Sequence, residues 1–313
     1  MPSPVYLFTG FLDSGKSTLI KETLSDENFM EKVERTLIIC FEQGEVEYEQ
    51  DWMNEHHVFV EYFDSVEELT PERMKELDTI YHPSQIFIEW NGSEALDPKF
   101  LASFPDFWPL VEILSTVDAT TFESYINNMR GIMFEQLRFS DVVIVNRCTE
   151  ETNGQMLRGN IKAINRRAQI FYEGAFGKQI KLKSGTLPFD INADVIDIKD
   201  DDYGLWYMDC MENPEKYFNK KIIIRGIYSQ KIPGYEKSFI LGRQAMVCCA
   251  ADTNLCGLTV TGVNIADMNL GDWVEVEGEL KPIEMENGGK TVVLYASRIQ
   301  FYHALEDPYV YFS

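Results

Sequence analysis

Long apolar runs are missing from this 313-residue chain. That excludes a membrane-spanning helix, which needs about 20 consecutive apolar residues. No basic segment followed by an apolar one opens the sequence. No secretory signal is therefore expected, and the expected location is cytoplasmic. Basic residues are scarce: 28 Lys and Arg stand against 51 Asp and Glu, for a formal net charge of −23. A duplex nucleic-acid binder carries a basic stripe, so no nucleic-acid partner is expected. Docking on an anionic membrane surface is disfavoured for the same reason. The six cysteines are Cys40, Cys148, Cys210, Cys248, Cys249 and Cys256. They contain no CxxC pair and no disulfide-scaffold spacing. Reduced thiols, most of them buried as small hydrophobes, are expected.

What is present is more specific. Gly10-Phe11-Leu12-Asp13-Ser14-Gly15-Lys16-Ser17-Thr18 fits GxxxxGK[ST], the phosphate-binding P-loop. Val5–Phe8 before it reads as a short buried strand. Thr18–Leu24 after it reads as the first turns of a helix. Glycines let the backbone wrap tightly round an anion with N–H groups pointing inward. The helix N-terminus adds its positive end. Gly10, Asp13, Ser14, Gly15, Lys16, Ser17 and Thr18 are therefore expected to hold a nucleotide. Lys16 reaches the β- and γ-phosphates, and the Ser17 hydroxyl ligates Mg²⁺.

The length suits two domains, and a hydrophobic content of 45% is enough for real cores. Arg35–Cys40, Gln85–Glu89 and Asp141–Asn146 are further strand-length apolar runs. Helical patterns lie between them over Ser65–Leu77, with a start at Pro71, and over Thr121–Leu137. Alternating strands and helices predict an α/β fold with a mostly parallel sheet. The composition shifts after Leu187-Pro188-Phe189-Asp190, and the helical pattern largely stops. Lys221–Tyr228, Ser238–Cys249, Gly257–Val260, Asp272–Gly278 and Thr291–Phe301 read as five strands. They predict a small all-β, OB-like barrel. The expected organisation is a nucleotide-binding domain over 1–193, an acidic linker over 194–204 and the barrel over 205–313.

Ile86-Phe87-Ile88-Glu89 ends where the acid that contacts Mg²⁺ belongs, directly or through water. Gly92, three residues on, can bring a backbone N–H to a γ-phosphate. Glu42 and Glu45, after the second strand, can face the metal. Asn146-Arg147-Cys148-Thr149 follows the third strong strand, where P-loop GTPases carry Asn-Lys-x-Asp. Asn146 and Arg147 are expected at the base, with Arg147 stacking on it. Thr149 stands at the aspartate position. A hydroxyl accepts hydrogen bonds but lacks the charge that strengthens them.

These segments resemble the CobW-type GTPases, relatives of the UreG and HypB nickel-insertion GTPases. The P-loop stretch Gly10–Leu19 is similar to that family's Gly-Phe-Leu-x-x-Gly-Lys-[Ser/Thr]-Thr-Leu. Phe41–Val46 resembles its Asn-Glu-Phe-Gly-Glu-[Val/Ile]. Glu89-Trp90-Asn91-Gly92 resembles its Glu-[Thr/Ser]-x-Gly, with Trp90 at the hydroxyl position. Thr116–Ala119, Glu135–Val143 and Ile161–Asn165 continue the resemblance in order. It implies GTP as cofactor, Mg²⁺-dependent hydrolysis with Lys16, Glu89 and Glu42 as catalytic residues, and zinc or cobalt as cargo. Ser17, Glu89, Glu42 and Glu45 would ligate metal. Relatives often pair across the nucleotide, so a homodimer is an expected state. The family's Cys-x-Cys-Cys motif, due soon after Val46, is absent. His56, His57 and Glu61 lie where it would fall.

Residues 205–303 resemble the soluble domain of an uncharacterised bacterial two-gene permease system, through Arg243–Asp252, Gly257-Leu258 and Gly271–Gly278. That domain carries Arg-x-x-[Met/Ile]-x-Cys-Cys-Ala-Ala-Asp. Cys248 and Cys249 are the candidate Zn²⁺ ligands there, with Cys256, Asp252 and Cys210 available to complete a thiolate-rich site. The expected function is thus a metallochaperone-type GTPase serving metal homeostasis and a metal-dependent client protein. The alternative is a non-catalytic nucleotide-sensing module that regulates a membrane permease. A small-metabolite kinase is a third reading, weakened by the lack of a lid segment with clustered arginines.

Overall fold

Each apolar run flanked by turn residues becomes a buried strand in the computed structural model. The structure describes residues 2–31, 33–42, 44, 46–182, 187–235, 237–249, 252–284 and 290–312, without the side chains of 176, 247–249, 252 and 290. Contacts divide the chain into two units, Met1–Thr152 with Ile164–Lys183, and Asn153–Ala163 with Ser184–Ser313.

The first unit is built on β1 (Val5–Thr9), β2 (Thr36–Cys40), β3 (Val58–Tyr62), β4 (Gln85–Glu89), β5 (Leu110–Asp118), β6 (Val142–Asn146) and β7 (Gln169–Tyr172). They form one parallel sheet in the order β3-β2-β4-β1-β5-β6-β7. β2 and β4 are buried at every position, because helices cover both faces of the sheet centre. One core gathers Leu7, Leu37, Ile39, Leu77, Ile86, Ile88, Trp90 and Trp108. Another gathers Phe8, Ile20, Leu24, Ile38 and Phe87. β1 lies between β4 and β5, where the strand order reverses. In open α/β sheets the crevice at the carboxyl ends of such strands is the ligand site.

Two helical expectations come out differently. Ser65–Leu77 divides into a short 3₁₀ turn over Val66–Glu68 and a helix over Pro71–Tyr81. Thr70 caps that helix by accepting from Arg73 N–H, and Pro71 suits its first turn. Thr121–Leu137 divides into Phe122–Asn128 and Arg130–Leu137. Met129 leaves the helical region at φ −133°, ψ 35°. The preceding Asn128 amide has folded back onto Ser124 O at 2.8 Å, so a local side-chain bond competes with the helix.

The second unit contains β8 (Ile196–Asp197), β9 (Lys221–Lys231), β10 (Ser238–Cys249), β11 (Asp252–Thr261), β12 (Trp273–Glu284), β13 (Lys290–Phe301) and β14 (Tyr309–Val310). Each of the five expected strands is present. β9 pairs with both β10 and β12, and β13 joins β11 to β12, so five strands close on themselves. Alternation along β9 and β12 turns Ile222, Ile224, Tyr228, Val274, Val276 and Leu280 into the interior. The acidic stretch 194–204 holds β8, paired in parallel with β9. Arg225 on β9 reaches Asp197 at 2.7 Å and Glu275 at 2.9 Å. A helix over Tyr203–Glu212, missed in the sequence, buries Tyr203, Trp206, Tyr207 and Cys210 in the same core. Its aromatics obscure the helical stripe. Gly154–Ile164 is also helical, and its Ala163 carbonyl accepts from Asn254 at 2.7 Å.

Candidate functional site

Glycines make the P-loop possible. Gly10 and Gly15 sit at φ 131° and 101°, where a side chain is strained, and Asp13 turns the loop at φ 59°. Gly15 opens the helix Lys16–Ser25, whose first N–H groups lack helical partners and face the loop. The loop is braced from behind. Gln136 accepts from Thr9 Oγ1 and from Gly10 N–H at 3.1 Å, and its amide donates to Glu94 O at 2.8 Å. Ser14 Oγ lies 2.6 Å from Thr116 Oγ1. Thr18 lines the clefts beside the loop.

Lys16 is buried. Its ammonium donates to Gly10 O at 2.9 Å and Phe11 O at 3.0 Å, and forms an ion pair with Glu42. The other Glu42 oxygen accepts from Gly92 N–H at 3.0 Å. A single carboxylate thus bridges a P-loop lysine and the backbone amide that follows β4. Gly92 is required for this approach. A Cβ there would press on Gly10 O and lie 2.8 Å from Leu12 N. We expect Gly92→Ala to lower triphosphate affinity at least tenfold while unfolding by about 1–3 kcal/mol more easily. Calorimetric titration and thermal unfolding of the variant check both.

Ser17 Oγ donates to Glu89 Oε1 at 2.5 Å. Glu89, wholly buried at the end of β4, also accepts from Tyr48 OH at 2.7 Å and from the Cys40 thiol at 3.8 Å. Burial and the Glu89 charge push both the Cys40 thiol and the Tyr48 hydroxyl up, so each stays protonated and donates. A cleft of about 280 Å³ opens beside them, lined by Ser17, Glu42, Glu47, Tyr48, Tyr62 and Glu89. The donor set of hydroxyl and carboxylate oxygens fits Mg²⁺. The loop fits a phosphate chain, with a free helix N-terminus, a lysine and glycines where a Cβ would intrude.

Beyond the P-loop, Asn146 Nδ2 donates to Ser14 O at 2.7 Å, and Asn146 Oδ1 is buried without a partner. Arg147, at φ 53°, donates to Asp13 O at 3.0 Å and pairs with Asp118. Burial raises the Asp118 carboxyl, but bonds from Thr120 and Arg147 outweigh it and hold the acid below its usual range. A cleft of about 450 Å³ follows, lined by Gly15, Asn146, Cys148, Thr149, Glu173 and Ala175 among others.

The structure therefore brings together Gly10, Asp13, Ser14, Gly15, Lys16, Ser17, Thr18, Glu42, Glu89, Gly92, Asn146 and Arg147 at the carboxyl ends of the strands. Glu45 lies outside the described residues, as do the side chains of Cys248 and Cys249. Cys210 and Cys256 are buried. Glu61 accepts from Tyr81 OH, and His56 packs on Trp52. Among the described residues, no group of three or more His, Cys, Asp or Glu side chains is arranged to hold a metal ion. Sequence reasoning missed Tyr48, Gln136 as a brace and Glu173. The apolar character of Val58–Tyr62 and Leu110–Asp118 was the available sign of β3 and β5.

Comparison with known families settles the first unit. Residues 4–172, more than half of the chain, match the CobW/HypB/UreG nucleotide-binding domain. The chain belongs to the CobW/HypB/UreG family. This is a family of P-loop GTPases. Residues 179–312 match the DUF1980 C-terminal domain. No match was found among curated proteins. Among solved structures, the Zn(II)-bound YjiA GTPase of E. coli is 16% identical, with 95% of this chain and 90% of that chain covered and a TM-score of 0.45. Hydrogenase maturation factor HypB of Archaeoglobus fulgidus is 18% identical over 55% of this chain and 81% of its own, with a TM-score of 0.38. The S. cerevisiae mitochondrial single-stranded DNA-binding protein Rim1 is 19% identical over 26% of this chain and 94% of its own, with a TM-score of 0.19. No helix of this CobW-type chain is long and apolar enough to cross a membrane among the described residues.

Proposed function

We propose that this CobW-type protein binds GTP with Mg²⁺, hydrolyses it, and uses the change in phosphate occupancy to move the segment after β2. One observation carries the reading. The Glu42 carboxylate is held by the Lys16 ammonium and the Gly92 N–H, the two groups placed to receive a γ-phosphate. The site already grips an anion of its own.

Ser17 and Glu89 would hold Mg²⁺, which would supply neutralisation of phosphate charge when bound. The remaining work falls to the chain. Lys16 places a fixed, desolvated positive charge where negative charge develops. Gly92 N–H donates from a backbone that its neighbours hold in place. Ser17 and Glu89 present oxygens to the cation, and Tyr48 and Cys40 orient the Glu89 carboxylate. Arg147 and Asn146 tie the base side to the P-loop through Asp13 O and Ser14 O.

When a γ-phosphate takes its place, Glu42 is released toward the cleft it shares with Glu47 and Tyr62. A nucleotide-dependent metal or client site near this segment is the consequence we propose for metal handling, with zinc or cobalt as cargo. The second unit, read as an OB-like barrel, is the proposed surface for a client or a permease. The test is calorimetric titration of GTP, GDP and ATP with Mg²⁺, with and without Zn²⁺. Tight GTP binding that Zn²⁺ alters supports the reading. Absence of nucleotide binding, or indifference to metal, removes its nucleotide or its metal part respectively.

A further inference from the structure

Thr149 stands where this class of GTPase carries the aspartate that reads guanine, yet its hydroxyl is already engaged. Thr149 Oγ1 accepts from Glu151 N–H at 3.3 Å and lies 3.5 Å from Thr152 Oγ1. Thr149 N–H donates to Thr152 Oγ1 at 2.8 Å. These bonds cap a local turn. They leave the base cleft without its expected reader from this loop.

A carboxylate enters the same cleft from the next strand. Glu173 follows β7 and is anchored by its backbone, with its N–H on Val145 O and its carbonyl accepting from Cys148 N–H, both at 2.8 Å. Its position is thereby fixed to the segment Val145–Cys148 that carries Asn146 and Arg147. The Glu173 side chain is half-buried and lines the cleft with Asn146, Cys148, Thr149, Gly174 and Ala175. No hydrogen bond to its carboxylate is found among the described residues. Asn146 Oδ1, in the same lining, is a buried acceptor with no partner. Glu173 thus brings an acceptor without a donor, among the described residues, to the lining of a cleft of about 450 Å³. Burial, and then the Glu22 carboxylate, push the Glu173 carboxyl up, and two donors from a bound base would restore its charged form.

We infer that Glu173 is the specificity-determining residue for the base, taking over from Thr149 the recognition of guanine. Guanine offers N1–H and the N2 amino group side by side, and one carboxylate accepts from both. Adenine offers an amino group beside a ring acceptor, which a carboxylate repels. The inference rests on the nucleotide-binding reading above and names its base.

The test uses the full chain and Mg²⁺ with GDP, IDP, XDP and ADP as probes, titrated into wild type, Glu173→Gln and Thr149→Ala. Hydrogen bonds to a charged group set the scale. Wild type should prefer GDP over ADP and over IDP, which lacks the N2 amino group. Glu173→Gln should lose about tenfold to a hundredfold in GDP affinity. The same variant should gain affinity for XDP, because an amide N–H₂ can donate to the carbonyl that replaces the amino group. The gain cannot come from misfolding. Guanine preference that survives Glu173→Gln, or that is lost only in Thr149→Ala, overturns the inference. Equal binding of all four diphosphates overturns it while leaving nucleotide binding intact. Failure of wild type to bind any of them overturns both.

Discussion

Lys16→Ala should abolish nucleotide turnover, with a loss of about a hundredfold to a thousandfold in rate, and should weaken GTP binding as well. Three features make the effect large. The ammonium is buried, so its field is weakly screened. It is held by Gly10 O and Phe11 O, so the lysine stays in place while an arriving phosphate displaces Glu42. It is paired with Glu42, so its removal also leaves that carboxylate half-buried beside Gly92 with one hydrogen bond. A stranded acid there repels phosphate, which adds to the lost attraction. Steady-state phosphate release and calorimetry on the purified variant measure the two parts. Thermal unfolding separates them from any change in fold.

Glu42→Gln should act in the opposite direction on binding. In the free protein Glu42 competes with the γ-phosphate for Lys16 and Gly92 N–H. Breaking a buried ion pair on one side leaves an uncompensated charge, which costs several kcal/mol. The incoming triphosphate relieves that cost. A gain of about tenfold in affinity for a non-hydrolysable GTP analogue is expected, equivalent to about 1.4 kcal/mol. GDP lacks the γ-phosphate and should change little. The free variant should also unfold at a lower temperature than wild type. Equal changes for GDP and the triphosphate analogue would contradict a γ-phosphate slot, since the effect would then be general electrostatics. If Glu42 also serves the metal, turnover falls although binding tightens, and the binding and rate effects separate.

The parts of this site that were legible in the sequence are local ones. The P-loop is a contiguous motif whose glycines, lysine and serine must follow a strand and open a helix. Its backbone angles at Gly10 and Gly15 follow from that requirement. Glu89 and Gly92 could be read because a single strand end sets them. Likewise the five main strands of the second unit alternate clearly, as along β9 and β12. What was not legible depends on contacts between distant segments. Tyr48 meets Glu89 across 41 positions, and Gln136 braces Thr9 across 127. Nothing in their neighbours' chemistry announces those roles. Glu173 follows a short strand and belongs to no motif, so nothing local marks it. Its place in the base cleft exists only once β6 and β7 pair. The break at Met129 and the helix Tyr203–Glu212 were hidden for a different reason: local side-chain bonding and aromatic crowding mask the helical period.

The anion slot of Lys16 and Gly92 serves a nucleotide's terminal phosphate, on the reading proposed above. The most direct measurement is release of inorganic phosphate from GTP by the full chain with and without Mg²⁺, beside Lys16→Ala. Release should require Mg²⁺ and be lost in the variant. Absence of release with Mg²⁺, or release that Lys16→Ala leaves unchanged, would contradict that reading.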